Sequence, residues 1–181
     1  MIFTTVDALV DQLASSEGVS DGEAVDLLAH MLQCAALLKE IAPDDPELQV
    51  AGLVHDLGWQ LTRDPAVHAT AGANAVARLL GDRVATLVAG HDHAKRYLVT
   101  TDREYRARLS ETSVLTLGFQ GGDMSENERS AFERGEHFEA LVALRRADDA
   151  AKVPGRAVPG LDAWRATLED LATPPPSSSS S

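Results

Sequence analysis

At 181 residues, with 44% apolar and 24% charged side chains, the chain has the size and composition of one ordinary globular domain. Lys plus Arg number 16 against 28 Asp plus Glu, a formal net charge of −12, which argues against nucleic-acid and anionic-membrane partners and restricts any anion site to a local basic cluster. The single cysteine, Cys34, excludes an internal disulfide, and the opening MIFTTVDALVDQL lacks the basic start and long apolar run of a signal peptide, so a cytoplasmic address is expected.

Val6, Leu9, Val10 and Leu13 recur at helical spacing ahead of a Ser-Ser-Glu-Gly break and predict a short leading helix. Ser20 to Glu23 matches the S-x-x-E capping box, followed by an apolar stripe from Val25 through Leu28, Met31, Leu32 and Ala35 to about Ile41; His30 lies in this helix. Asp45 before Pro46 is an N-cap followed by Pro at the first helical position, and the run closes at Gly58 with His55 and Asp56 in its last turn. His68 opens a periodic segment that ends at Gly81. Asp82 restarts a helix towards Tyr97 that contains His91.

Beyond a loop at Thr100 to Asp102, residues 110–119 are apolar and break at Gly121-Gly122. Ser125 and Glu128 form a second capping box, and a later helix carries Phe138, Leu141, Val142 and Leu144 into Arg145-Arg146-Ala147-Asp148-Asp149, ending near Lys152. The expectation is one all-α domain over residues 1–172. The Pro/Ser stretch 173–181 is expected to be a disordered tail.

Chemistry concentrates in an ordered series of ligand-type residues: His30, His55-Asp56, His68, His91 and Asp148, each on or beside a predicted helix. No local motif binds metal at such separations, so several helices must converge, as ligand-bearing helices do in bundle cores. Adjacent helical side chains diverge by about 100°, so His55 and Asp56 can both serve one site only if the carboxylate bridges two metals. Four imidazoles and two carboxylates without a useful thiolate suit iron, manganese or zinc, and differ from a structural Cys-rich zinc site. Cys34 is read as core, and His93 and His137 as non-ligands.

The order H…HD…H…H…D, over about residues 20–155, resembles the six-ligand dinuclear subgroup of the HD-domain superfamily, a helical-bundle fold. Within it, the strings HMLQCA, HDLG, AKRYL, QGG-x-MS and LRRADDAAKVPG resemble the phosphonate-degrading HD-domain oxygenases of bacteria. That resemblance implies a mixed-valence di-iron centre that uses O2 to cleave the C–P bond of a 1-hydroxylated phosphonate, releasing phosphate and a carboxylic acid. It assigns His30, His55, Asp56 and Asp148 to one iron and His68 and His91 to the other, with Asp56 bridging. Lys95 and Arg145 match the family's phosphonate-binding cations, Ser113 a further hydrogen bond to the phosphonate, and Glu23 a carboxylate near the substrate's amine.

Spacing supports the two cations independently. Lys95 is one helical turn after His91 and Arg145 three residues before Asp148, so both project to the metal side, where a small dianion would be favoured. The chain departs from the family's aminophosphonate enzymes at Ser20, where they have Tyr, at Trp59, where they can have His, and in the segment GHDH, which carries acidic Asp92 and an additional His93. A wider pocket near Ser20 with an apolar wall at Trp59 suits a larger or less polar substituent. Two rival readings share the fold: a phosphohydrolase whose metals activate water for attack on a phosphate ester, and a metal-free binding or regulatory protein.

Overall fold

The computed structural model describes residues 1–20 and 22–173. The sequence's amphipathic stripes become helices throughout, and among the described residues there is no strand. Thr5 caps α1 (Val6–Ala14), Asp26 caps α2 (Leu27–Ile41), and Asp45 caps α3 (Pro46–Val54) with Pro46 in the first turn. A tight turn leads to α4 (Gly58–Thr62), and α5 (His68–Thr101) follows. Its interior residue Gly81 sits at φ 86° and ψ 171°, a conformation costly for a residue with a Cβ, so the expected break there is real and α5 is two helical arms joined at a kink. Then come α6 (Arg103–Ala107), α7 (Glu111–Phe119), α8 (Glu126–Glu133) and α9 (Phe138–Ala150), with the expected Ser125/Glu128 capping box formed at the start of α8.

The packing centres on α2, α3, α5 and α9, which contact one another and place their apolar faces in one core that includes Leu27, Met31, Leu53, Leu87 and Leu144. A smaller cluster of Leu98, Val99, Tyr105 and Leu117 joins the far arm of α5 to α6 and α7. Gly58 makes the close approach that sets α4 on α5: a Cβ there would lie 1.8 Å from the carbonyl oxygen of His68.

Two expectations need correction. The second helix does not start at the Ser20 box: Gly22 at φ 96° keeps the chain non-helical, the Leu27 N–H donates to Val19 O at 2.8 Å, and Asp26 supplies the cap instead. His55 and Asp56 lie just past α3, which ends at Val54, rather than in its last turn. Beyond the helices read from the sequence, a 3-10 turn (Leu161–Trp164) with Trp164 buried leads into α10 (Arg165–Leu171), which packs back on α1, α3 and α5. Thr173 donates its N–H to Leu79 O at 2.8 Å, and residues 174–181 of the expected tail lie outside the described residues.

Candidate metal centre

The six ligand-type side chains come from five places in the fold: His30 from α2, His55 and Asp56 from the turn after α3, His68 and His91 from the two arms of α5, and Asp148 from α9. All six are buried. The four imidazoles are oriented alike. Each Nδ1 faces a backbone carbonyl, that of Ala151 for His30 at 3.0 Å, Gly52 for His55 at 2.9 Å, Pro65 for His68 at 3.1 Å and Val88 for His91 at 2.7 Å. A carbonyl only accepts, so each Nδ1 carries a proton, and in the neutral ring each Nε2 presents a lone pair.

Those lone pairs face each other, with Nε2 of His30 3.2 Å from that of His55 and Nε2 of His68 3.2 Å from that of His91. Two acceptors at that distance repel unless a cation sits between them. Asp56 spans both pairs: Oδ2 lies 3.4 Å from the Nε2 atoms of His30 and His55, and Oδ1 3.5 and 3.6 Å from those of His68 and His91. Asp148 Oδ1 adds a carboxylate 3.2 Å from His30 and 3.8 Å from His55. The two clusters that fit a metal ion, His30/His55/Asp56 and Asp56/His68/His91, therefore share one carboxylate.

Electrostatics shows the same demand for positive charge. Burial opposes a charge on His30, yet the carboxylates of Asp148 and Asp56 lift its pKa to about 9. His55 is also raised against the cost of burial, chiefly by Asp56, and His68 is raised by the same carboxylate. Asp56 and Asp148 are held well below the usual carboxylate range despite their burial, Asp56 mainly by His55 and Asp148 mainly by Arg145. Only His91 falls, through burial.

Beside the cluster a cavity of about 40 Å³ is lined by Lys95, Arg145, Ser113, Glu23 and Lys152 as well as by His30, His68 and His91. Lys95 Nζ donates to Thr116 Oγ1 at 2.6 Å and Gln120 Oε1 at 2.8 Å, and burial, with Arg145 next, lowers its pKa to about 8. Arg145 is tied to Asp148 at 2.8 Å, to Asp149 and to the Tyr105 hydroxyl. Trp59 stacks on His68 with ring centroids 4.6 Å apart and also borders a larger hollow of about 520 Å³ lined by Ser20, Leu27, Gln60 and Arg63.

A helical scaffold with this His/Asp arrangement has a counterpart among known families: residues 27–118 match the HD domain family model. The chain belongs to the HD-domain family. Curated members similar to it include a [1-hydroxy-2-(trimethylamino)ethyl]phosphonate dioxygenase (glycine-betaine-forming) of Leisingera caerulea, 33% identical over 72% of this chain and 71% of that protein. A hydroxymethylphosphonate dioxygenase of Gimesia maris is 34% identical over 81% of this chain and 78% of its own length. The uncharacterized protein L432 of Acanthamoeba polyphaga mimivirus is 30% identical over 89% and 77%.

In this HD-domain protein nine of the ten side chains singled out from the sequence line one cavity, and the tenth, His55, is buried and clusters with His30 and Asp56. Glu23 is not a helix cap: it accepts from Ser110 Oγ at 2.7 Å and pairs with Lys152 Nζ at 2.8 Å. Cys34 is buried and its thiol is pushed up to about 12 by burial, consistent with core packing. Sequence reasoning missed Lys152, Thr116 and Gln120. The first carried a signal, since it stands one turn beyond Asp148 in the DDAAK string; Thr116 on α7 and Gln120 just past its end carried none.

Among the described residues no helix is long and apolar enough to cross a membrane.

Proposed function

We propose that this protein is a di-iron, O2-dependent oxygenase that cleaves the C–P bond of a 1-hydroxylated organophosphonate. The observation that carries the reading is the pair of facing Nε2 couples spanned by Asp56, with Lys95 and Arg145 on the wall of the same cavity. The names of the Leisingera and Gimesia relatives supply the phosphonate and the O2. His30, His55, Asp56 and Asp148 would hold one iron and His68 and His91 the other, the two sharing Asp56 in a mixed-valence Fe(II)/Fe(III) pair. The iron pair, when bound, supplies O2 activation and electron transfer.

The chain's own groups do the rest. Lys95 and Arg145 hold the phosphonate dianion, Arg145 with its guanidinium already aligned by Asp148 and Asp149, so little rotamer freedom is lost on binding. Ser113, buried on α7 at the cavity wall, adds a hydrogen bond to a phosphonate oxygen. The Glu23 carboxylate, steadied by Lys152, faces the substituent on C1. In the balanced reaction the C1–H and C–P bonds break, O2 accepts four electrons and contributes two oxygen atoms, and the products are a carboxylic acid and phosphate. The hollow beyond Trp59, bordered by Ser20, gives room for a substituent larger than hydrogen.

The test is anaerobic purification with iron, then phosphate release from a panel of 1-hydroxyphosphonates and phosphate esters with and without O2. Release from a phosphonate only when O2 is present is the expected result. Release from an ester without O2 would make this a metal-dependent phosphohydrolase and end the oxygenase reading.

A further inference from the structure

Asp92 belongs to no ligand series, yet it lies against the His68/His91 half of the centre. It follows His91 on α5, is buried, and lines the cavity. Its Oδ1 is 3.5 Å from His91 Nε2 and its Oδ2 3.8 Å from His68 Nδ1, the nitrogen that donates to Pro65 O. A buried carboxylate requires a donor, and here it is Gln120, whose Nε2 donates to Asp92 Oδ1 at 2.6 Å. The other end of the same amide accepts from Lys95 Nζ at 2.8 Å. Lys95 has only donors, so the amide can face only one way, with oxygen to Lys95 and nitrogen to Asp92. One amide therefore links the cation that would grip the anion to the carboxylate beside the second metal position.

We infer that Asp92 is a positioning residue that adds a negative charge to the His68/His91 subsite without ligating it, and so biases the iron pair there towards its oxidised form. The inference rests on the di-iron reading above. Fixed charge outside the ligand sphere is one of the means by which a protein sets a metal's potential. Asp92 stands outside the cluster of Asp56, His68 and His91 whose ligand atoms fit a single ion, which places it as an outer charge. The Gln120 link has a separate consequence: it fixes Lys95, and so governs anion affinity.

The two roles are separable by experiment. The full chain, loaded with iron anaerobically, would be titrated with dithionite and mediators while the mixed-valence signal is followed by electron paramagnetic resonance. Asp92→Asn should retain two irons and raise the midpoint potential, changing the ratio of reduced to oxidised centre at a fixed potential at least tenfold, 59 mV for one electron. Asp92→Glu, which restores the charge, should return the ratio to within threefold of the parent. Gln120→Leu, which takes the donor from Asp92 as well as an acceptor from Lys95, should raise KM for the phosphonate about tenfold. An unchanged midpoint in Asp92→Asn, or loss of one iron from it, overturns the inference while leaving the oxygenase reading intact. Failure of the parent protein to hold two irons overturns that reading, and this inference with it.

Discussion

Placing a methyl group at Gly58 would test how the fold builds the centre, independently of any activity. The Cβ of Gly58→Ala would stand 1.8 Å from the His68 carbonyl oxygen, 2.7 Å from the His68 carbonyl carbon and 3.0 Å from the Gly72 nitrogen. All three are backbone atoms, so no side chain can swing aside. The α4–α5 contact would have to widen from 1.8 Å to the 3.4 Å of ordinary contact. Overpacking of this kind costs about 1–3 kcal/mol, and more where backbone must move. For a chain of this length each kcal/mol lowers Tm by about 2–4 °C.

Because the clash is on His68 itself, the first turn of α5 would move, and with it the Nε2 that lies 3.2 Å from that of His91. The expected outcome is a lower Tm in metal-free protein together with loss of about one of two bound metals per chain, read by calorimetry and by elemental analysis. Gly118→Ala is the control: nothing lies within 4 Å of its Cβ and it sits within α7, so the change should be neutral or stabilise by about 1 kcal/mol. A Gly58→Ala protein with unaltered Tm and two metals would refute the reasoning.

Other outcomes follow from the same geometry. Lys95, with its pKa lowered to about 8, should lose its proton as pH rises through that value, so kcat/KM for an anionic substrate should fall about tenfold per pH unit above it. Lys95→Arg should abolish that fall, and a flat profile in the parent would remove Lys95 from anion binding. The same lowered pKa means the native state binds fewer protons than the unfolded chain above about 8, so this residue's contribution to stability should improve with pH up to its ordinary value of 10.5. Arg83 grips both oxygens of Asp45 at 2.6 Å at the start of α3, with both side chains about 30% exposed, so Arg83→Ala should cost about 1 kcal/mol, less at high salt. Asp45 is held below its ordinary pKa by that contact, so the contribution is present above about 4 and lost on acidification, which a urea-unfolding series against pH would show. Stripping metal with a chelator should leave the His30–His55 and His68–His91 couples facing each other without a cation; raised amide exchange in 52–56 and 65–68 is the expected sign, measured by mass spectrometry.

The local features were legible because they are short-range. Asp45-Pro46 and Ser125…Glu128 each satisfy a helix start within a few residues, and Gly81 breaks a helix by its own backbone. The ligand series could be read as well, because burying so many His and Asp side chains on predicted helices needs a shared cation. Glu23 was ambiguous because the S-x-x-E pattern says nothing of Ser110 and Lys152, which approach it from distant parts of the chain. The terminal helix with Trp164 was legible too, since Leu161, Trp164, Leu168 and Leu171 recur at helical spacing and face the core, but the segment after Pro154-Gly155 was left without an element.

The sequence by itself determined the longer helices, the residue types at the centre and the sign of the cavity's cations, since these depend on side-chain chemistry and near neighbours. Only the tertiary structure decided which way each imidazole faces, and that Gln120 joins Lys95 to Asp92. Those depend on where backbone carbonyls and helix crossings fall in space, and a one-dimensional pattern of period 3.6 carries no record of either.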